Sequence, residues 1–186
     1  MAYRIVALCR NALSKHPVLT NTAVYATLYA AAELSQQTFN KFYSPDKPDF
    51  DLASAGRIVT VGSCVYAPPL HYWYKFLERK FPGKALKSVV TKVVTDQCIM
   101  TPVLLAAFYI FIAVLERKED IFEELQAKYW KTFVVNQAFW IPAKTINFFF
   151  MPPHLQVVYV ASASFIWSNA LCFIKRQKIE KYNAMM

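Results

Sequence analysis

The chain has 186 residues, of which 56% are apolar, 16% aromatic and only 18% charged. That is one domain's length, too aromatic and too poor in charge for a disordered segment, and its three glycines fit neither a dinucleotide fingerprint nor a phosphate loop. The formal charge of +9 sits between long apolar runs, which suits an anionic membrane better than a nucleic-acid groove, where basic residues cluster on a soluble face.

The first 15 residues set Arg4, Arg10 and Lys15 among Ile5, Val6, Leu8 and Leu13, and no acid occurs before Glu33. An acid-free, basic, amphipathic start has the character of a mitochondrial targeting segment. It serves equally as the basic flank of a first membrane span. Residues 1–15 are therefore read as an N-terminal amphipathic segment with both roles open.

Four stretches then lack Asp, Glu, Lys and Arg: 16–32, 58–74, 97–115 and 145–174. A bilayer core takes about 20 largely apolar helical residues. The expected spans are about 16–36, 57–77, 96–115 and 154–174. The third run is the most apolar. The second contains the β-formers Ile58, Val59, Val61, Val65 and Tyr66, but a lone strand leaves its backbone unsatisfied in lipid, so helix is expected.

Residues 43–51 carry Pro45, Pro48 and three aspartates and read as a loop. Phe81-Pro82-Gly83 should close the second helix. Residues 116–131 alternate charge with Ile121, Phe122, Leu125, Tyr129 and Trp130, the pattern of an amphipathic surface helix. Residues 132–151 are apolar but hold Pro142 and Lys144 at their middle. A lysine at mid-bilayer costs several kcal/mol unless it is paired or snorkels. This segment is read as a broken, partly buried helix outside the span count.

Charge bookkeeping favours four spans. Residues 1–15 carry three basic and no acidic side chains, 33–57 three and four, 75–96 six and two, 116–131 four and five, and the tail from Lys175 four and one. The sign alternates, with both ends of the chain and 75–96 on one side, as the positive-inside rule expects for an even count. The fold class predicted is an all-α integral membrane helical bundle with four transmembrane helices plus amphipathic and interfacial helices, forming one membrane domain over 1–186.

No hydrolase, metalloprotease or nucleotide-binding motif is present. Cys9, Cys64, Cys98 and Cys172 form no CxxC pair, and with only His16, His71 and His154 available no zinc spacing arises. No cofactor, metal or catalytic residue is expected. His71 lies near the end of a span without a nucleophile beside it and reads as an interfacial hydrogen-bonding group. Asp96-Gln97 is expected to open the third span, where the helix dipole favours an acid, with Pro102 just inside. Asn147 at membrane depth is expected to face the bundle, as helix–helix glue or along a solute path.

Two strings carry a family resemblance. One is Pro68, His71, Trp73-Tyr74, Leu77 and Arg79, followed by Asp96-Gln97 and Pro102; the other is Trp140, Pro142, Asn147-Phe148, Pro152 and Trp167. Together they resemble the peroxisomal membrane protein / Mpv family, and the likeness runs from His16-Pro17 to about Cys172. His16-Pro17 with Thr20-Asn21, and Lys118-Glu119-Asp120 with Ile121-Phe122, are most like its Mpv-like branch. The chain departs from the family pattern at Ala32-Glu33 (Gly-Asp), Ala67 (Gly), Lys144 (Gln), Gln156 (Arg) and Ser168 (Asn).

The resemblance implies a small four-span protein of the mitochondrial inner membrane or, alternatively, the peroxisomal membrane. It implies a non-enzymatic role in mitochondrial homeostasis, with a non-selective small-solute channel as the leading activity. The alternatives are a non-conducting scaffold or assembly factor, or a peroxisomal protein affecting reactive-oxygen metabolism. Membrane lipids, small solutes and a second copy of the chain are the expected partners, with no direct nucleic-acid contact. In the channel reading Lys144 would act as a cationic selector.

Overall fold

The computed structural model describes the backbone of residues 11–43 and 49–183, with side chains up to residue 169. Residues 1–10, most of the 43–51 linker and the side chains of the basic tail lie outside the described residues, and the targeting-segment reading of 1–15 falls mostly there. All regular elements among the described residues are helical.

Five long helices form the bundle. Helix α1 is Pro17–Tyr43. Its first residue is proline, whose missing N–H is an orphan at a helix start in any case. Helix α2 is continuous through three stretches, Leu52–Thr60, Val61–Tyr66 and Ala67–Lys80. Asp51 caps it by accepting the Ser54 N–H at 2.8 Å, and it ends before Phe81-Pro82-Gly83 with Gly83 at φ +85°. Helix α3 runs Leu86–Leu115, α4 Glu123–Phe150 and α5 Gln156–Asn183 after a 3-10 turn at Pro153–Leu155.

Helices α2 and α3 each widen into a π-helical turn, at Val61–Tyr66 and Asp96–Met100. Each lies just upstream of proline, Pro68-Pro69 and Pro102. A proline cannot donate to the carbonyl four residues back and its ring crowds that turn, so the preceding bonds shift register. In α3 the Thr101 N–H bonds Asp96 O. Such bulges are frequent at functional sites, and here the second one carries Asp96 and Gln97.

Side-chain pairs fix the helix directions. Asn21 meets His71, and Gln37 meets Asp51, so α1 and α2 are antiparallel. Tyr109 meets Thr132 and Lys84 meets Phe150 O, so α3 and α4 are antiparallel. Phe139 stacks on Trp167, placing α5 against α4, while Ser35 reaches Asn169 along parallel α1 and α5. One end of the bundle therefore holds the start of α1, the end of α2, the start of α3 and the α4–α5 turn. It is called the basic end below. The core along the axis includes Tyr25, Leu70, Tyr74, Met100, Phe148 and Val160.

Several expectations are corrected. Residues 132–151 are not a broken helix: α4 is uninterrupted through Pro142, because neighbouring helices support a proline that costs one backbone bond. The amphipathic stretch 116–131 is a turn followed by the start of that same helix. Asp96-Gln97 does not open a helix but lies well inside α3. The basic stretch 75–96 is mostly helical, closing α2 and opening α3, and not all of its charge is solvated: Lys92 is 1% exposed and bonds Glu78 Oε2 at 2.5 Å and Gly83 O at 3.1 Å. Because α4 runs the height of the bundle, α5 ends opposite to where α1 begins.

Among the described residues one helix, Leu86–Leu115, is long and apolar enough to cross a membrane. Only 17% of its most apolar window is buried inside the protein. Val103, Phe111 and Val114 on this helix are about half exposed, as are Ile146 on α4 and Ile166 on α5. Apolar faces turned outward on this scale mark a surface that another apolar phase covers.

Candidate functional site

The buried centre of the bundle is polar. Lys144 on α4 is 5% exposed and Asp96 on α3 is fully buried. The Lys144 ammonium lies 2.8 Å from Asp96 Oδ2, and its hydrogen bond goes to the Tyr74 hydroxyl at 2.6 Å. The Trp73 indole N–H donates to Asp96 Oδ1 at 2.9 Å. The ammonium also sits 5.1 Å from the Tyr74 ring centroid and 5.6 Å from that of Trp140, where cation–π attraction adds to the pairing. Desolvating two charges costs several kcal/mol per ion, which only close pairing and further hydrogen bonds offset. All three kinds of contact are present.

Around this pair several amides have no partner among the described residues. Both side-chain polar atoms of Gln97 and of Asn147 are unpaired and buried, as is Gln156 Oε1. An unpartnered buried amide costs about 1–3 kcal/mol. Asn147 faces the bundle, as expected, but makes no interhelical bond.

Above the pair lies a cavity of about 450 Å³ lined by all five helices. Tyr29, Leu70, Thr101, Asn136, Lys144 and Ser164 line it, and Glu33 and Gln36 lie toward the end of the bundle opposite the basic end. Tyr66 donates to Leu104 O at 3.1 Å and Tyr109 pairs with Thr132 at 2.8 Å, bracing its wall. At the basic end a second cleft of about 290 Å³ is lined by His71, Tyr74, Lys75 and Arg79 among others. The Tyr74–Lys144 bond thus lies between the two, with Lys144 facing one and Tyr74 the other.

The sequence-predicted residues fall into four groups. His71 and Arg79 line the basic cleft. Trp73, Tyr74, Asp96, Gln97, Lys144 and Asn147 form or adjoin the buried polar centre. Trp140 and Trp167 line the cavity. The prolines shape the backbone. Pro68 and Pro102 follow the wide turns, with Pro102 O accepting from Tyr129 at 3.3 Å. Pro142 lies within α4, and Pro152 turns the chain, its carbonyl accepting the Leu155 N–H. Sequence reasoning missed Glu33, Thr101 and Asn136 as cavity residues. Their only signal was polarity within a helical face.

The pattern of the Mpv17 / PMP22 family matches residues 113–172. The chain is 35% identical to the Mpv17-like protein of Xenopus laevis over 167 residues, covering 90% of this chain and 81% of that protein. The chain belongs to the Mpv17 / PMP22 family. Within that family it is 28% identical to protein sym-1 of Neurospora crassa, over 89% of this chain and 95% of the relative. It is 26% identical to PXMP2/4 family protein 2 of Dictyostelium discoideum, over 89% and 88%. No solved structure matches. As a member of the Mpv17 / PMP22 family the chain is an organellar membrane protein, of mitochondria or peroxisomes.

Proposed function

We propose that the chain is a non-enzymatic, multi-pass protein of the mitochondrial inner membrane that passes small solutes through its central cavity. The carrying observation is the cavity itself, about 450 Å³ and walled by all five helices. Its lining mixes aromatic and apolar side chains with Thr101, Asn136 and Ser164, and so tolerates varied small molecules. Lys144 is not a free anion selector in this reading, because Asp96 cancels its charge. Among the described lining residues Glu33 is the charged group left facing the cavity, and its Oε1 accepts from the Gln37 amide at 3.0 Å. Cations should be tolerated there and small anions disfavoured. Placement in the peroxisomal membrane is the alternative address.

Purified protein in a planar bilayer should conduct, and Asn136→Trp, which fills the cavity, should reduce the conductance at unchanged melting temperature. A bilayer that stays silent while the protein co-purifies with a partner would favour the scaffold reading. The closed Tyr74–Lys144–Asp96 floor is the observation that keeps that second reading in view.

A further inference from the structure

The cleft at the basic end has chemistry of its own. His71, Lys75 and Arg79 recur every four residues on α2, so they share one face of its last three turns. All three line the cleft, with Pro17 at the start of α1, Pro153 in the turn before α5 and Val157 at the start of α5. Glu78 also borders it, but its carboxylate is held by buried Lys92 at 2.5 Å. The local charge that remains is therefore positive. His71 Nδ1 faces the Asn21 side-chain amide N at 3.3 Å. With that amide nitrogen as donor, the neutral ring accepts at Nδ1 and leaves Nε2–H as a further donor. The first turn of α5 contains no acidic side chain to answer the positive end of its dipole. Apolar Val157 and the two prolines form the remaining wall.

We propose that this cleft is a phosphate-binding site, taking the headgroup phosphate of an anionic membrane lipid or a free phosphate. Arg79 supplies a planar fork that matches phosphate oxygens, and Lys75 a mobile point charge beside it. Basic pockets between helices near a membrane surface hold lipid headgroups in this way. The site lies on the far side of Tyr74 from the central cavity and does not depend on whether that cavity conducts.

The test uses the full chain in detergent and two pairs of substitutions of equal charge. Lys75→Gln with Arg79→Gln empties the cleft of its cations. Lys80→Gln with Lys87→Gln removes the same charge from exposed positions outside it. In the lipid arm, native mass spectrometry follows retention of phosphatidylglycerol against phosphatidylcholine. In the free-phosphate arm, the melting temperature is followed with inorganic phosphate against chloride at matched ionic strength. The cleft pair should weaken binding by about 30-fold, from about 1 kcal/mol per basic residue near the surface, while the outer pair leaves it near wild type. A response confined to the first arm assigns the phosphate to lipid, and one confined to the second to a soluble phosphate. If the two pairs behave alike in both arms, the cleft is no phosphate site.

Discussion

Lys144 on α4 and Asp96 on α3 meet at 2.8 Å in the middle of the bundle, each almost wholly removed from solvent. The pair sets a lysine and an aspartate at a depth where neither is tolerated alone. Removing one partner leaves an uncompensated buried charge and typically costs about 3–5 kcal/mol. Lys144→Met and Asp96→Asn should each lower the melting temperature in detergent sharply. The double variant should be more stable than either single one, since no isolated charge remains. A double variant as unstable as the sum of the singles would mean the two groups act independently.

Gly62 lies in the wide turn of α2, where a Cβ would stand 2.5 Å from the Tyr29 ring of α1. Tyr29 is itself held between Tyr25, at 5.6 Å between ring centroids, and Tyr66, at 6.3 Å. The ring has little room to yield, and overpacking of this kind costs about 1–3 kcal/mol. Gly62→Ala should destabilise the protein by that order in thermal unfolding. Gly56→Ala, with nothing within 4 Å of its Cβ, should be neutral or mildly stabilising.

The full-length run of α4 sets the start of α1 and the end of α5 at opposite ends of the bundle, whereas charge counting expects both ends of the chain on one side. A cysteine placed at Ala85, by the basic end, should label from the opposite membrane face to one at Arg117. A tag after Asn183 should share the face of Arg117. These probes belong in a background lacking native cysteines, since Cys64 and Cys98 are exposed. Shared labelling of Ala85 and the C-terminal tag would restore an even count.

The turn between α3 and α4 holds a charge cluster in which Lys118 meets Glu124 and Glu116, and Lys128 meets Glu124 at 3.2 Å. The hydrogen bond from Lys118, and then that from Lys128, hold the Glu124 carboxyl below its usual range. A carboxylate with a depressed folded value contributes fully above its unfolded value, about 4.3. That contribution is lost as pH falls through the folded value. Lys118 is raised by the same Glu124 bond, so its contribution fades only as pH climbs through that raised value. Glu124→Gln should therefore flatten the acid limb of the melting profile. The difference should shrink in high salt, as expected for an exposed pair.

Much of this architecture was legible in the chain. Charge-free apolar runs located four of the five long helices, and Phe81-Pro82-Gly83 marked where α2 stops. The polar residues worth watching were visible as well: Asp96, Lys144 and Asn147 stand out against apolar neighbours. The fifth helix was obscured by Pro142 and Lys144, two residues that local rules place outside a membrane helix. Packing keeps that helix unbroken, because α3 and α5 lie against it around the proline and Asp96 answers the lysine.

The sequence by itself determined an all-helical, apolar-faced chain of this family, since helix formation and hydropathy are local properties of neighbouring residues. Only the tertiary structure decided which polar groups meet. The Lys144–Asp96 pair, the Lys92–Glu78 pair and the cleft of His71, Lys75 and Arg79 each depend on which helices lie side by side and in which direction. Charge counts along a chain carry no such information. A lysine counted among the basic residues of 75–96, as Lys92 was, becomes a buried ion when its helix turns it inward.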